Sequence, residues 1–182
     1  MKLSTLLLIC GIGLCQNLLA DQSDQRLDAL FERLALADDP TTIRVTENRI
    51  WEIWHQHPNE DLERLMQIGT ERMNNQQLPE ALLIFTRVVE SFPNYAEGWN
   101  KRATLYYLVG NFDASIADIE KTLALEPRHF GALSGLGLVY LQREELSKAK
   151  EAFTGLIEVH PNSPNARENL EFVTEQLRLN II

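Results

Sequence analysis

Two histidines with one residue between them, His55 and His57, form the strongest candidate for a metal site in this sequence. Imidazole nitrogen is the most common metal ligand in proteins. The pair lies at the end of a predicted helix, however, where a histidine also hydrogen-bonds free carbonyl groups and interacts favourably with the helix dipole. We therefore expect no metal and no other cofactor. A metal site at His55 and His57 is kept as an alternative.

The other residues lack the spacing of a catalytic motif. The chain has no glycine-rich phosphate loop and no nucleophile elbow. Gly135 and Gly137 are not preceded by the strand that a dinucleotide-binding fold requires. We predict that the protein is not an enzyme.

Three tryptophans have rings on which a sugar or a partner's proline could stack. Trp51 and Trp54 lie beside Ile50 at helical spacing, which favours a place in the hydrophobic core. Trp99 occupies a packing position of the repeat described below. We therefore interpret all three as packing residues.

The charge of the chain narrows the class of partner. It carries 26 acidic and 17 basic residues among 182, for a formal net charge of −9. This charge repels phosphate backbones and anionic lipids. We exclude nucleic acid as a partner and expect a single domain with a well-hydrated helical surface.

Residues 1–20 have the layout of a secretory signal peptide. Lys2 precedes an apolar run, Leu3–Cys15, and Ala20 stands before the acidic Asp21. The run has about thirteen residues, whereas a helix that spans a bilayer needs roughly twenty. We predict cleavage after Ala20 and no membrane insertion afterwards. A membrane tether formed by an uncleaved signal is the alternative.

Both cysteines, Cys10 and Cys15, lie in this leader, so the mature chain would carry no thiol. Ile9 and Leu14 precede them, where a lipoprotein needs a small residue. Export without disulfides fits the periplasm of a Gram-negative bacterium better than an animal extracellular space. We predict a periplasmic or otherwise exported protein.

Sliding the chain against itself by 34 residues brings one pattern into register three times. The aligned columns are Leu65, Trp99 and Leu133; Gly69, Ala103 and Gly137; Ala81, Ser115 and Ala149; Phe85, Ile119 and Phe153; and Pro93, Pro127 and Pro161. Within each unit, steps of three and four residues place the apolar residues of the first helix on one face of that helix. A small residue such as Gly137 permits close approach of a second helix, which Pro161 then ends.

One charged residue, Arg102, lies on the apolar stripe of the second unit. Such a residue costs free energy unless it is paired or its head group reaches water. Asp118 lies on the following helix, where the two helices of one unit face each other. We predict a bidentate pair between these two side chains.

These residues resemble the tetratricopeptide repeat, whose signature is W-x2-L-G-x2-Y, then A-x3-F, then P. The units cover residues 62–95, 96–129 and 130–163. The resemblance implies an all-α solenoid of antiparallel helix pairs, about nine helices in a right-handed array. The phrase from Tyr95 to Thr104 is also similar to small exported repeat proteins of Gram-negative bacteria.

The segments beside the repeats are predicted to be helical as well. Residues 21–61 carry two helices, the second with Asp39 as its N-cap and Pro40 at its first position. We interpret this hairpin as a degenerate repeat or a cap over the apolar face of the first unit. Residues 164–182 are predicted to form a C-terminal capping helix with a polar outer face.

In the family, the first helices of successive units line a concave groove that binds a protein or peptide. By projection the groove residues here are Met66, Thr70, Met73, Asn100, Thr104, Tyr107, Ser134, Leu138 and Leu141. Gly131 and Gly135 stand where family members that grip a terminal carboxylate have basic residues, so we expect no such clamp. We predict a non-catalytic interaction module of the cell envelope that holds an apolar segment with Tyr107 as its anchor. A structural subunit that oligomerises through its helical ends is the alternative, and the partner and oligomeric state are left open.

Overall fold

The computed structural model describes residues 21–57 and 59–179, and within these ranges every regular element is a helix. Nine helices follow in order: α1 (Arg26–Leu36), α2 (Pro40–His55), α3 (Glu60–Asn74), α4 (Leu78–Ser91), α5 (Ala96–Leu108), α6 (Phe112–Leu125), α7 (Phe130–Gln142), α8 (Leu146–Val159) and α9 (Pro164–Leu179). The predicted leader, with Cys10, Cys15 and Ala20, lies outside the described residues.

Six of these helices, α3 to α8, form three helix pairs that stack one on the next. Within a pair the two helices pack along their length, and α4 packs on α5 as α6 packs on α7. The second helices begin at Leu78, Phe112 and Leu146, which keeps the 34-residue register. The all-α solenoid is confirmed. The first pair begins at Glu60, two residues before the predicted start of its unit.

The turn inside each pair needs a left-handed residue at one repeated position. Gln76, Gly110 and Glu144 have φ values of 59°, 76° and 59°. Each is followed by a backbone N–H that donates to a carbonyl five residues back, as in a Schellman motif. Only the second unit has glycine there, so the other two turns carry a strain of about 1 kcal/mol each.

Two glycines lie where the helices of a pair come closest. A Cβ at Gly69 would stand 2.8 Å from the ring of Phe85, and one at Gly137 would overlap the ring of Phe153. Both phenylalanines are fully buried. The aligned glycine and phenylalanine columns therefore meet, as the repeat pattern predicts.

The pair between Arg102 and Asp118 is confirmed. Nε of Arg102 donates to Oδ2 of Asp118 at 2.7 Å and Nη2 donates to Oδ1 at 2.8 Å. The guanidinium also lies 5.1 Å from the ring centre of Trp99. The side chain of Arg102 is 14% exposed, so its head is largely enclosed by these partners.

The hairpin of α1 and α2 lies along one edge of the solenoid. Its contacts follow the turns that join one pair to the next: Gln22 Nε2 donates to the Asn94 carbonyl at 2.5 Å, Arg128 donates to Asp28 at 2.8 Å, and Asn162 donates to the Ala37 carbonyl at 2.5 Å. The three solenoid residues are related by the 34-residue period. Residues 22–37, which include helix α1, therefore touch three successive turns.

This position differs from the expected cap over the first pair. The buried cluster that holds the hairpin includes Phe31, Trp54 and Phe130, and among the described residues it takes members from α7, α8 and α9 but none from α3 or α4. The aromatic face of α2 packs on the edge because Trp54 contacts Phe130 and the ring of Trp51 lies against Gly131, which has no side chain. Trp54 is 1% exposed, which confirms its core position, and Trp51 is half-buried.

Helix α9 packs on α8 and is the last helix that the structure describes. Ala166 and Val173 are buried against it, whereas Phe172 and Leu179 are about half exposed. In the part of the chain that the structure describes, no helix combines the length and the apolar character needed to cross a membrane.

We expect Asp118→Ala to lower the free energy of unfolding by about 2 to 3 kcal/mol, because it leaves the Arg102 guanidinium without its partner in a poorly solvated place. The double variant Arg102→Leu and Asp118→Leu should be about neutral, because it removes both charges, whereas Arg102→Leu alone leaves the Asp118 carboxylate, 6% exposed, without its partner. Urea unfolding of the three variants checks this. Equal losses in Asp118→Ala and in the double variant would contradict it.

Candidate functional site

Two open cavities lie along the first helices of the three pairs, α3, α5 and α7. The first cavity lies between α3 and α5, has a volume of about 740 Å³, and includes Met66 and Thr70 in its lining. The second cavity lies between α5 and α7 and has a volume of about 290 Å³. Helix α5 is the wall between them. We call this surface of α3, α5 and α7 the groove.

The structure brings most of the predicted groove residues to these cavities. The second cavity is lined by five of them: Asn100, Thr104, Tyr107, Ser134 and Leu138. Met73 and Leu141 line neither cavity. They are half-buried and pack against hydrophobic clusters, Met73 within the first pair and Leu141 beside the hairpin. Each lies in the last turn of its helix.

A buried carboxylate, Glu97, stands at the first turn of α5 and was not identified from the sequence. It is 1% exposed. Its Oε1 accepts from His55 at 3.1 Å and lies 3.2 Å from Nζ of Lys101. Its Oε2 accepts from Asn100 at 2.9 Å and from His129 at 3.1 Å. One carboxylate thus joins the hairpin, α5 and the start of α7.

Hydrogen bonds at both nitrogens and contacts with two tryptophans hold the ring of His129 in place. Its Nδ1 accepts from the backbone N–H of Ala132, which caps α7, so its proton lies on Nε2 and is donated to Glu97. The ring stacks on Trp54 with centroids 4.2 Å apart and meets Trp51 edge-on. His129 therefore couples the cap of α7 to the hairpin.

These contacts determine the charge of Glu97. Burial alone would raise the pKa of its carboxyl group, but the hydrogen bonds from His129 and His55 and the charge of Lys101 hold the pKa well below its ordinary value. The carboxylate is therefore ionised. Since Asn100 lines the second cavity and Lys101 lines the first, Glu97 orients one residue of each.

The sequence carried one weak signal for this cluster. Glu97 and Lys101 are four residues apart on one helix, the spacing of an intrahelical ion pair. The partners His55 and His129 are 42 and 32 residues away from Glu97, and no local pattern connects them to it.

The structure separates the two histidines of the metal hypothesis. His55 donates to Glu97, whereas Nδ1 of His57 accepts from the backbone of Asn59. His57 also packs edge-on against Tyr95. Among residues 21–57 and 59–179, no group of three or more histidine, cysteine, aspartate or glutamate side chains could hold a metal ion.

A second contact holds the middle of α2. His160, at the end of α8, is 1% exposed, and its Nδ1 lies 3.3 Å from Oε1 of Glu47 on α2. Its Nε2 has no hydrogen-bond partner among the described residues. Burial lowers the pKa of His160, because the charged imidazolium would lose its hydration.

We expect Glu97→Gln to lower the free energy of unfolding by about 2 to 4 kcal/mol at neutral pH, because several donors then face an uncharged amide. In the native chain the folded pKa is depressed, so this stabilisation is complete above the unfolded value near pH 4.5 and is lost as the pH falls through the folded pKa. Urea unfolding between pH 3 and 7 should give a flatter acid profile for the variant.

The matched control is Glu63→Gln. Glu63 holds the same register position in the first pair but is exposed. We expect a change of about 0.5 kcal/mol or less. A similar loss in both variants would contradict the assignment of the buried cluster.

For His160 the unfolded chain has the higher pKa, near the ordinary value of 6.5. The unfolded state therefore binds more protons below that pH, and stability decreases as the pH falls from about 6.5 toward the folded pKa. His160→Phe, which copies Phe92 at the same register position, should be less sensitive to pH in this window. Thermal unfolding at several pH values between 7 and 5 checks this, and parallel curves would contradict it.

Comparisons with known proteins agree with this architecture. The tetratricopeptide-repeat family profile matches residues 100–167. The chain is similar in fold to the type III secretion chaperone SycD of Yersinia enterocolitica, solved with a peptide of the translocator YopD, at 14% identity and a TM-score of 0.62 over 65% of this chain and 95% of that one.

Two sequence relatives differ in how much of their length is matched. DnaJ homolog subfamily C member 3 of Mus musculus is 26% identical over 60% of this chain, which spans only 22% of that protein. A TPR repeat-containing protein of Rhizobium etli is 33% identical over 153 residues, 84% of this chain and 75% of that protein. On this match and the repeat architecture, the chain belongs to the tetratricopeptide-repeat family.

Proposed function

We propose that this protein is a non-catalytic interaction module that holds a segment of another protein in the groove. The observation that carries the proposal is the second cavity. It opens between α5 and α7, and apolar and small side chains line it, among them Ala103, Ile119 and Val139. Such a cavity suits the anchor residue of a bound segment.

The shape of the groove supports the same proposal. Two cavities flank one helix, so a segment that crosses α5 contacts both. The related fold of SycD was solved with a bound peptide. A module of this kind needs no reacting group, and the ionised Glu97 is enclosed by donors and is 1% exposed, which leaves no room for a substrate.

We also propose that the module works in the cell envelope after export. The proposal rests on the leader-like composition of residues 1–20. Sequencing of the amino terminus of the native protein tests it. A mature chain that begins at Asp21 supports export, and an intact Met1 in a cytosolic fraction would refute it.

We expect a benzoylphenylalanine placed at Thr104 to crosslink the partner segment in cells that make the protein naturally, because Thr104 is exposed and lines the second cavity. The same group at Lys121, which is exposed on α6, should give no such product. The two crosslinking patterns are compared by gel electrophoresis and mass spectrometry.

The crosslink at Thr104 should disappear when Leu138→Asp adds a charge to the cavity wall. A product that persists with Leu138→Asp, or that forms equally from Lys121, would refute binding in the groove. If Thr104 captures only a second copy of this chain, the alternative of an oligomer is supported instead, and light scattering of the purified protein then determines its size.

A further inference from the structure

The second and third pairs differ at two equivalent positions of their first helices. Glu97 and Lys101 of α5 correspond to Gly131 and Gly135 of α7 in the 34-residue register. In α5 these side chains pair with each other beside the first cavity. In α7 both side chains are missing, and the second cavity lies there.

Packing explains one of these glycines. A Cβ at Gly131 would stand 2.6 Å from the ring of Trp51. The hairpin therefore requires glycine at this position, because the indole ring rests on the backbone of α7.

Packing does not explain the second glycine, Gly135. A Cβ at Gly135 would meet only the end of the Ile119 side chain, at an ordinary 3.7 Å. Glycine inside a helix is destabilising relative to alanine, because its backbone loses more conformational freedom on folding. Gly135 lies inside α7 and has a normal helical φ, so neither contact nor conformation requires it. Its effect is to keep the cavity open.

The size and lining of this cavity define its occupant. An apolar cavity of about 150 Å³ accommodates a benzene ring, and the second cavity has about 290 Å³. Ala103, Ile119, Leu138 and Val139 contribute apolar surface. The side chain of a leucine or phenylalanine fits this space and loses contact with water there.

The first cavity has a different character. The acidic side chains in its lining are Glu63 and Glu71, and its one lysine is Lys101. Lys101 lies 3.2 Å from the carboxylate of Glu97, which offsets its charge. Glu63 and Glu71 are exposed and form no ion pair within the described residues. The first cavity therefore presents negative charge to a partner, and the chain as a whole carries −9.

We infer that the bound segment carries a bulky apolar side chain, which enters the second cavity, and a lysine or arginine that faces Glu63 and Glu71 in the first. This inference rests on the proposed function. The cavities lie on either side of α5, and a helix with its side chains is about 10 to 12 Å across. An extended chain advances about 3.3 Å per residue, so the two anchors are about three residues apart.

Selection of random twelve-residue peptides on phage against the purified protein tests this inference. The enriched peptides should share a leucine, phenylalanine or similar residue with a lysine or arginine about three positions away. Gly135→Leu fills the second cavity and should reduce recovery of these peptides about tenfold or more. Ser134→Leu fills the same cavity from the next residue and provides a second variant.

The matched control is Gly155→Leu. Gly155 lies inside α8, and a Cβ there also meets a single side-chain atom at 3.7 Å, from Leu133, but it lines neither cavity of the groove. Recovery should be unchanged. The double variant Glu63→Gln and Glu71→Gln should retain selection for the apolar residue and lose selection for the basic one. Circular dichroism confirms that each variant is folded.

The outcomes separate the inference from the proposed function. The inference is overturned if the enriched peptides still bind the Gly135→Leu and Ser134→Leu variants, or if they carry acidic residues in place of basic ones. The proposed function as a binding module would remain in either case. If no peptide is enriched, the inference is overturned; if Thr104 also gives no crosslink, the proposed function is overturned as well.

Discussion

A carboxylate that is 1% exposed is stable only where donors surround it, and Glu97 imposes that constraint on three parts of the molecule. His55 must come from the hairpin, Lys101 from the same helix and His129 from the start of α7. The hydrogen bonds are possible only when all these elements are in place. The cluster therefore links the docking of the hairpin to the spacing of α5 and α7, between which the second cavity lies.

The hairpin directly connects helix pairs that are not neighbours in the stack. Contacts in a repeat array are made between neighbours, so the ends are coupled only through the units between them. The hairpin removes this limit, because residues 22–37 run along the edge and touch the turns at Asn94, Arg128 and Asn162. Trp54 contacts Phe130 and His129, so the centre of the hairpin packs on the solenoid through aromatic rings. The result is one connected body and not a chain of independent pairs.

The groove combines two kinds of surface because two register positions change chemistry between repeats. Side chains fill them in the second pair, as Glu97 and Lys101, and glycine leaves them open in the third, as Gly131 and Gly135. A regular backbone thus carries an acidic cavity next to an apolar one. Because the helices themselves repeat, these substitutions are what distinguish one cavity from the other.

Much of the fold was determined by local sequence. The 34-residue register placed the helix pairs, Asp39 and Pro40 defined the start of α2, and the predicted start of α9 at Pro164 agrees with the structure. The pairing of Arg102 with Asp118 was also predictable, because both lie in one unit at positions that the repeat brings together.

Only the tertiary structure decided where the hairpin docks and what surrounds Glu97. The hairpin has an apolar face that any apolar surface could cover, so its pattern predicts burial but not the partner. The donors to Glu97 come from residues 32 and 42 positions away, and their approach depends on how α1 and α2 fold back on the solenoid. Periodicity describes one helix and its neighbours, whereas this cluster exists only after distant elements have packed.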